Sequence, residues 1–190
     1  MLFRSYEQAG FHRGIAESRH NLGITYREQG RLDHALEAAD AAVRDAEWLN
    51  DRGFKAQALA GRAEIRLAQG EPELAIREAQ EALAIHRERN DGVLEAEDLR
   101  ILAVALGLAG RMRDAEEMLR AVIARATKHD RPLLVASAQR DLASLLHRIG
   151  DRPAATATAR AARATFDRLG AKAEVDKLDA LEATFQVAPR

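Results

Sequence analysis

The stretch YREQGRLDHALEAA, residues 26–39, sets a glycine between two helix-forming halves. Forty residues on stands RLAQGEPELAIREA, then LGLAGRMRDAEEML, then LHRIGDRPAATATA. The glycines are Gly30, Gly70, Gly110 and Gly150, and five residues after each comes an alanine: Ala35, Ala75, Ala115 and Ala155. Seven residues before each stands a very small residue, Gly23, Ala63, Ala103 or Ala143. Two further columns run through Ala39, Ala79, Leu119 and Ala159, and through Ala42, Ala82, Val122 and Ala162. Mostly small residues held in one register make an internal repeat the first property of the chain.

Each forty-residue unit reads as two helices. The first stops at the glycine, which takes up left-handed backbone geometry at little cost. The second starts within three or four residues, helped by Asp33, Pro72, Asp114 and Pro153, types favoured at helix starts. It runs to a second punctuation at Asn50-Asp51, Asn90-Asp91, His129-Asp130 and Leu169-Gly170, with Pro132 suited to the next first turn. Small residues at facing positions let two antiparallel helices approach closely. Leu22, Tyr26, Leu102, Leu106, Leu142 and Leu146 fill the sides from the first helices, and Val43, Leu83, Ile123 and Phe166 from the second. One such hairpin cannot bury its apolar surface alone, so neighbours must stack into a solenoid.

The register divides the 190 residues as a single array. Gly10 falls on the phase of Asn50, so residues 1–10 read as a half repeat. Four full repeats follow, 11–50, 51–90, 91–130 and 131–170. Residues 171–190 form a closing helix that caps the last repeat with Val175, Leu178, Leu181 and Phe185. The half-repeat start suggests either a piece of a longer protein or an open end that takes a partner.

Composition narrows the function. Charged residues make up 31% and aromatics 4%, a mixture suited to solvated helices packed through small residues. A net charge of −1 gives no reason to expect nucleic acid or a membrane surface as partner. There is no cysteine, hence no disulfide and no thiolate chemistry. The opening residues lack a signal-peptide core, and no apolar run approaches the roughly 20 residues of a membrane span. The default expectation is a soluble cytoplasmic protein. Arginine far outnumbers lysine and alanine is abundant, a bias that fits a GC-rich bacterial genome.

At this point the residues resemble the tetratricopeptide repeat family, in its long forty-residue form. Leu22, Gly23, Tyr26, Gly30 and Ala35 stand on its signature positions in LGITY and QGRLDHALEAA. Similar long repeats occur in the spindle-orientation adaptor LGN/Pins and in regulatory domains of bacterial transcription activators and signalling ATPases. The resemblance implies an all-α, right-handed superhelical solenoid of antiparallel helix hairpins. Its first helices would line a concave groove that holds a peptide or helix of another protein. Two departures stand out. Repeat two carries Arg62 and Arg66 where the others place leucine or tyrosine. The Lys/Asn clamp that some members use on a terminal carboxylate is missing, which argues against chaperone-tail binding.

On that resemblance the groove columns are His20, Asn21, Ile24 and Arg27 in repeat one, then Glu64 and Leu67 in repeat two. Arg100, Ile101, Val104 and Leu108 follow in repeat three, and Arg140, Ser144 and His147 in repeat four. The strip is apolar in the middle and polar at both ends, which suits an amphipathic helix or apolar peptide. The competing reading is that these side chains only pack first helices together. Arg62 and Arg66 share a helix face; they pair with carboxylates on adjacent helices, Asp98 being a candidate, or form a buried anion site. The six histidines are scattered. Glu17 and His20 have di-metal spacing without the second copy that such a site needs. There is no H-E-x-x-H, Walker or G-x-G-x-x-G motif. No catalytic residue, cofactor or metal is expected. The function read from the sequence is a non-catalytic protein-interaction module. Its alternatives are homo-oligomerisation through the open N-terminal end, or a ligand-sensing regulatory domain.

Overall fold

A computed structural model describes the backbone of residues 2–185 and the side chains of residues 11–185. Nine α-helices and no strand occur among the described residues. They are α1 (Leu2–Glu28), α2 (Leu32–Trp48), α3 (Arg52–Ala68), α4 (Pro72–Glu88) and α5 (Gly92–Leu108), then α6 (Met112–Lys128), α7 (Pro132–Arg148), α8 (Arg152–Leu169) and α9 (Lys172–Phe185).

The helix lengths follow from where the backbone turns left-handed. From Gly30 on, this happens every twenty residues: Gly30 (φ 73°), Asn50 (53°), Gly70 (77°), Asn90 (56°), Gly110 (86°), Asp130 (50°), Gly150 (91°) and Gly170 (65°). Glycine, asparagine and aspartate are the residues that tolerate this region. The closing bonds fit a Schellman motif: the Arg31 N–H donates to the Tyr26 carbonyl at 2.9 Å and that of Gly30 to Arg27 at 3.0 Å. The same pair of bonds recurs with Asp51 on Ala46 and Asn50 on Glu47, both at 3.0 Å. Three starts are capped by aspartates, whose carboxylates accept from the chain three residues on: Asp51 from Phe54, Asp91 from Leu94 and Asp151 from Ala154. Pro72, Pro132 and Pro153 lie in first turns, where a missing N–H costs nothing.

Gly10 does not behave as its phase suggests. Helix α1 runs 27 residues without interruption from Leu2. The next residue is Phe11, which can neither cap a new helix as Asp51 and Asp91 do nor exclude a continuing one as a proline would.

Two compact units divide the chain, residues 1–109 and 110–190. In the first, α1 through α5 each pack on the next, α1 also touches α3, and α3 touches α5. Helices α2 and α4 make no such contact with each other. First helices are thus the inner row of this unit and second helices the outer. In the second unit α6 through α9 pack in the same order, with α7 against α9.

The small columns explain the close approach. A Cβ on Gly23 would lie 3.3 Å from the Ala35 carbonyl oxygen and 3.6 Å from the Ala39 nitrogen. Ala35, Ala75, Ala115 and Ala155 are all 0% exposed. Leu102, Leu106, Leu142, Leu146, Val43, Leu83 and Phe166 are buried as expected. Leu178, 0% exposed, joins Phe166 in one cluster, against which Val175, Leu181 and Phe185 pack. Leu22 departs from expectation, being 42% exposed. Arg62, at the same register, is held between Asp40 of α2 and Glu78 of α4. No described helix lies before α1 to do the same for Leu22.

Candidate partner-binding face

In the first unit the inner row brings three expected residues into one chain of ion pairs. Arg27 of α1 donates to Glu64 of α3, and Arg100 Nη2 of α5 donates to the other oxygen of Glu64 at 2.7 Å. Arg27, Glu64 and Arg100 are 20%, 26% and 13% exposed. Burial pushes the Glu64 carboxyl up, but Arg100 and Arg27 together pull it below the usual carboxylate range. His20 lies in the same neighbourhood. Its ring meets Phe54 edge-on at 6.1 Å and sits over Gly61, where any Cβ would come within 2.7 Å of Cε1. Burial lowers its pKa against the opposing field of Glu64.

The apolar columns divide by depth. Ile24, Leu67 and Val104 are half-buried, Leu108 is 41% exposed, and Asn21 is exposed. Arg100, Val104 and Leu108 follow each other at four-residue steps and so share a face. Ile101 does not: one residue on from Arg100, it turns about 100° around the helix into the core, where it is 5% exposed. It offers a partner almost no surface.

In the second unit the corresponding side chains of α7 meet α9. Arg140 donates to Glu174 and, at 3.1 Å, to Asp141. The His147 ring stacks on Phe185 with centroids 4.5 Å apart. Ser144 is half-buried between them in sequence.

Arg62 and Arg66 already have carboxylate partners. Arg62 reaches Asp40 at 2.8 Å and Glu78 at 3.0 Å, and Arg66 reaches Glu71 at 2.6 Å. Asp98 is not among them; it pairs with His86, a contact the sequence reading missed. The available signal was register, since those two positions are apolar in the other repeats. A cavity of about 390 Å³ opens away from the inner row, between α2, α3 and α4, where Lys55 bridges Glu47 and Glu81. Among the described residues no group of three or more His, Asp or Glu could hold a metal, and no helix is long and apolar enough to cross a membrane.

The arrangement of antiparallel hairpins in each unit, with first helices inside, defines a class of helical repeat fold. Residues 15–47 match the tetratricopeptide repeat family. No curated protein matches the chain. Among solved structures, a Rap protein complexed with competence and sporulation factor resembles it with a TM-score of 0.71 at 20% identity, covering 77% of this chain and 41% of that one. Aspartyl phosphate phosphatase F from Bacillus subtilis gives 0.70 at 14% identity, over 92% and 46%. The nearly identical TPR-like repeats of a Podosopora anserina chain described as a kinesin light chain give 0.56 at 19% identity, over 90% and 97%. The chain thus spans less than half the length of the first two. It is an all-α protein with the tetratricopeptide-repeat fold.

Proposed function

We propose that the chain is a non-catalytic protein-interaction module, a scaffold or regulatory domain, that takes a peptide or helix of a partner protein along its first helices. The observation that carries this is the inner row of the first unit. There half-buried Ile24, Leu67 and Val104 and exposed Leu108 stand on the same three first helices as the Arg27–Glu64–Arg100 chain. A strip with both apolar and charged parts suits an amphipathic helix, whose apolar anchors recur at three- and four-residue steps. In the second unit Arg140, Ser144 and His147 are the residues of the corresponding register, with Arg140 and His147 engaged by α9. We take residues 11–50, 51–90, 91–130 and 131–170 as the repeat units of the long form, flanked by 1–10 and 171–190. The ligand-sensing version of the proposal draws on the Rap protein, whose structure holds a competence and sporulation factor.

The test is selection from a displayed random-peptide library on the immobilised protein, with Val104→Glu and Leu108→Glu in parallel. Peptides enriched on the wild type and lost on both variants, with helix content unchanged, support the face. Equal enrichment on all three places binding elsewhere.

A second reading, self-association through the N-terminal end, is favoured by the exposure of Phe11 (70%), Leu22 (42%) and Trp48 (69%) on α1 and α2. Leu2 and Phe3 belong to the same end, and their side chains lie outside the described residues. Sedimentation would give a dimer that Leu22→Glu dissociates; a wild-type monomer removes this reading.

A further inference from the structure

Two second helices, α2 in the first unit and α8 in the second, have exposed faces of opposite chemistry. On α2 the face holds Asp33, Glu37 and Trp48. Neither carboxylate has a partner among the described residues. The Trp48 ring tilts against His12 at 4.7 Å and remains 69% exposed. It is the chain's single tryptophan, and the other repeats place Glu88, Lys128 and Arg168 at its position. Tryptophan is enriched at the energetic centres of interfaces. On α8, Arg152, Arg160 and Arg168 follow at eight-residue steps, all exposed and none paired with a carboxylate among the described residues. Arg163, turned toward α9, is by contrast held by Asp179 and Glu182. Between the three arginines stand exposed Ala157, Ala161 and Ala164, too small to hold a neighbouring helix away. The exposed sides of α4 and α6 lack such a bias. There Arg77 and Arg87 stand among Glu73 and Glu88, and Arg113 and Arg120 beside Glu117.

We propose that these faces are the two halves of a head-to-tail contact between copies of this chain, α2 of one copy lying antiparallel on α8 of the next. The lengths agree. Asp33 to Trp48 is fifteen residues and Arg152 to Arg168 sixteen, about 22 and 24 Å along a helix. Laid antiparallel, Asp33 comes to Arg168, Glu37 falls between Arg168 and Arg160, and Trp48 reaches Pro153 and Arg152. The indole then meets an apolar ring, with a guanidinium in reach of its face. Laid parallel, it would meet the Asp167 carboxylate instead. Exposed ion pairs contribute little singly, so Trp48 is the anchor and the charges set partner and direction. The one exposed charge of the wrong sign on each face, Arg44 on α2 and Asp167 on α8, is outnumbered.

A second copy is the occupant that accounts for both faces. An acidic segment of a different protein would satisfy the arginines of α8 and leave Trp48 in water, whereas every copy of this chain brings the acidic, aromatic half and the basic, small-residue half together. Because the contact joins two different surfaces, it is heterologous. It uses no residue of the inner row and does not rest on peptide capture there. Trp48 is common to this contact and to association through the N-terminal end; Leu22 belongs to the latter alone.

The test is sedimentation of the full chain at about 100 μM, where a contact of micromolar strength is nearly saturated. Wild type should associate at low salt and do so about tenfold more weakly at high salt. Glu37→Arg with Trp48→Ala blocks the α2 face, and Arg160→Glu with Arg168→Glu blocks the α8 face. All four side chains are exposed, so circular dichroism should show unchanged helix content. Each variant alone should be monomeric, its association weakened about hundredfold. Mixed, the two should form a one-to-one dimer and nothing larger, since the first keeps its α8 face and the second its α2 face. A monomeric wild type at low salt, or a mixture that stays monomeric, overturns the contact. Association that Leu22→Glu abolishes and both face variants keep belongs to the N-terminal end and likewise overturns it. Peptide selection is scored separately: a monomer that captures peptides keeps the interaction reading and rejects the head-to-tail contact.

Discussion

Gly61 and His20 illustrate how a single residue is constrained by one far away in sequence. A helix-interior glycine ordinarily weakens its helix by roughly 0.5–1 kcal/mol against alanine. Here the space a methyl would take is filled by the His20 ring, 2.7 Å from the ideal Cβ. The expected outcome of Gly61→Ala is a near-neutral change in stability, the helix gain offset by displacement of His20 from its contact with Phe54. In a His20→Ala background the same substitution should stabilise by about 0.5–1 kcal/mol. A double-mutant cycle read by chemical denaturation checks this; a gain of equal size in both backgrounds would mean that the ring yields at no cost. In the sequence Gly61 looks like an ordinary weak point. Nothing local reports that a side chain from a different helix lies over it.

At the scale of the element, Glu64 ties three first helices together. Its exposure of 26% and the low exposure of both arginines mean that removing it leaves two guanidinium groups half-buried with fewer partners. Glu64→Ala should cost about 2 kcal/mol. The Glu64 carboxyl is lowered on folding, against its burial, by Arg100 and Arg27. Its contribution is therefore present above the ordinary glutamate value of 4.5 and lost as pH falls through the lowered one. The gap between wild type and Glu64→Ala should be full at pH 7 and close in strong acid; a gap constant down to pH 2 would contradict the ion-pair account. Helix ends carry a smaller term. Asp151→Ala removes the bond to the Ala154 N–H and should lower stability by about 1 kcal/mol, with exchange protection lost first at the start of α8. The helices and their ends were legible in the sequence, because turn residues and caps act within a few positions. The ion-pair chain was legible only as columns, since Arg27, Glu64 and Arg100 are 36 and 37 residues apart.

Across the whole molecule, the helices of each unit touch only their neighbours and next neighbours along the chain. Stability in such an architecture is a sum of local and nearest-neighbour terms. Leu178→Ala, at a fully buried position in the cluster with Phe166, should cost about 2–4 kcal/mol. Hydrogen exchange should fall in protection over α8 and α9 while α3 and α4 keep theirs. A uniform loss over all helices would instead mark a single cooperative unit.

The helix count from Gly30 onward, the turn register and the small-residue contact lines can all be read from residue types and their spacing. Left-handed turns need particular residue types, and close helix approach needs small ones, so both leave a periodic mark. Which side chains meet depends on how the helices pack. Packing turned Ile101 inward and left Leu22 outward, gave Arg62 to Asp40 and Glu78, and set Asp98 against His86. Those outcomes depend on which neighbouring helix covers a given face, and a repeat register fixes the position of a residue without fixing what lies opposite it.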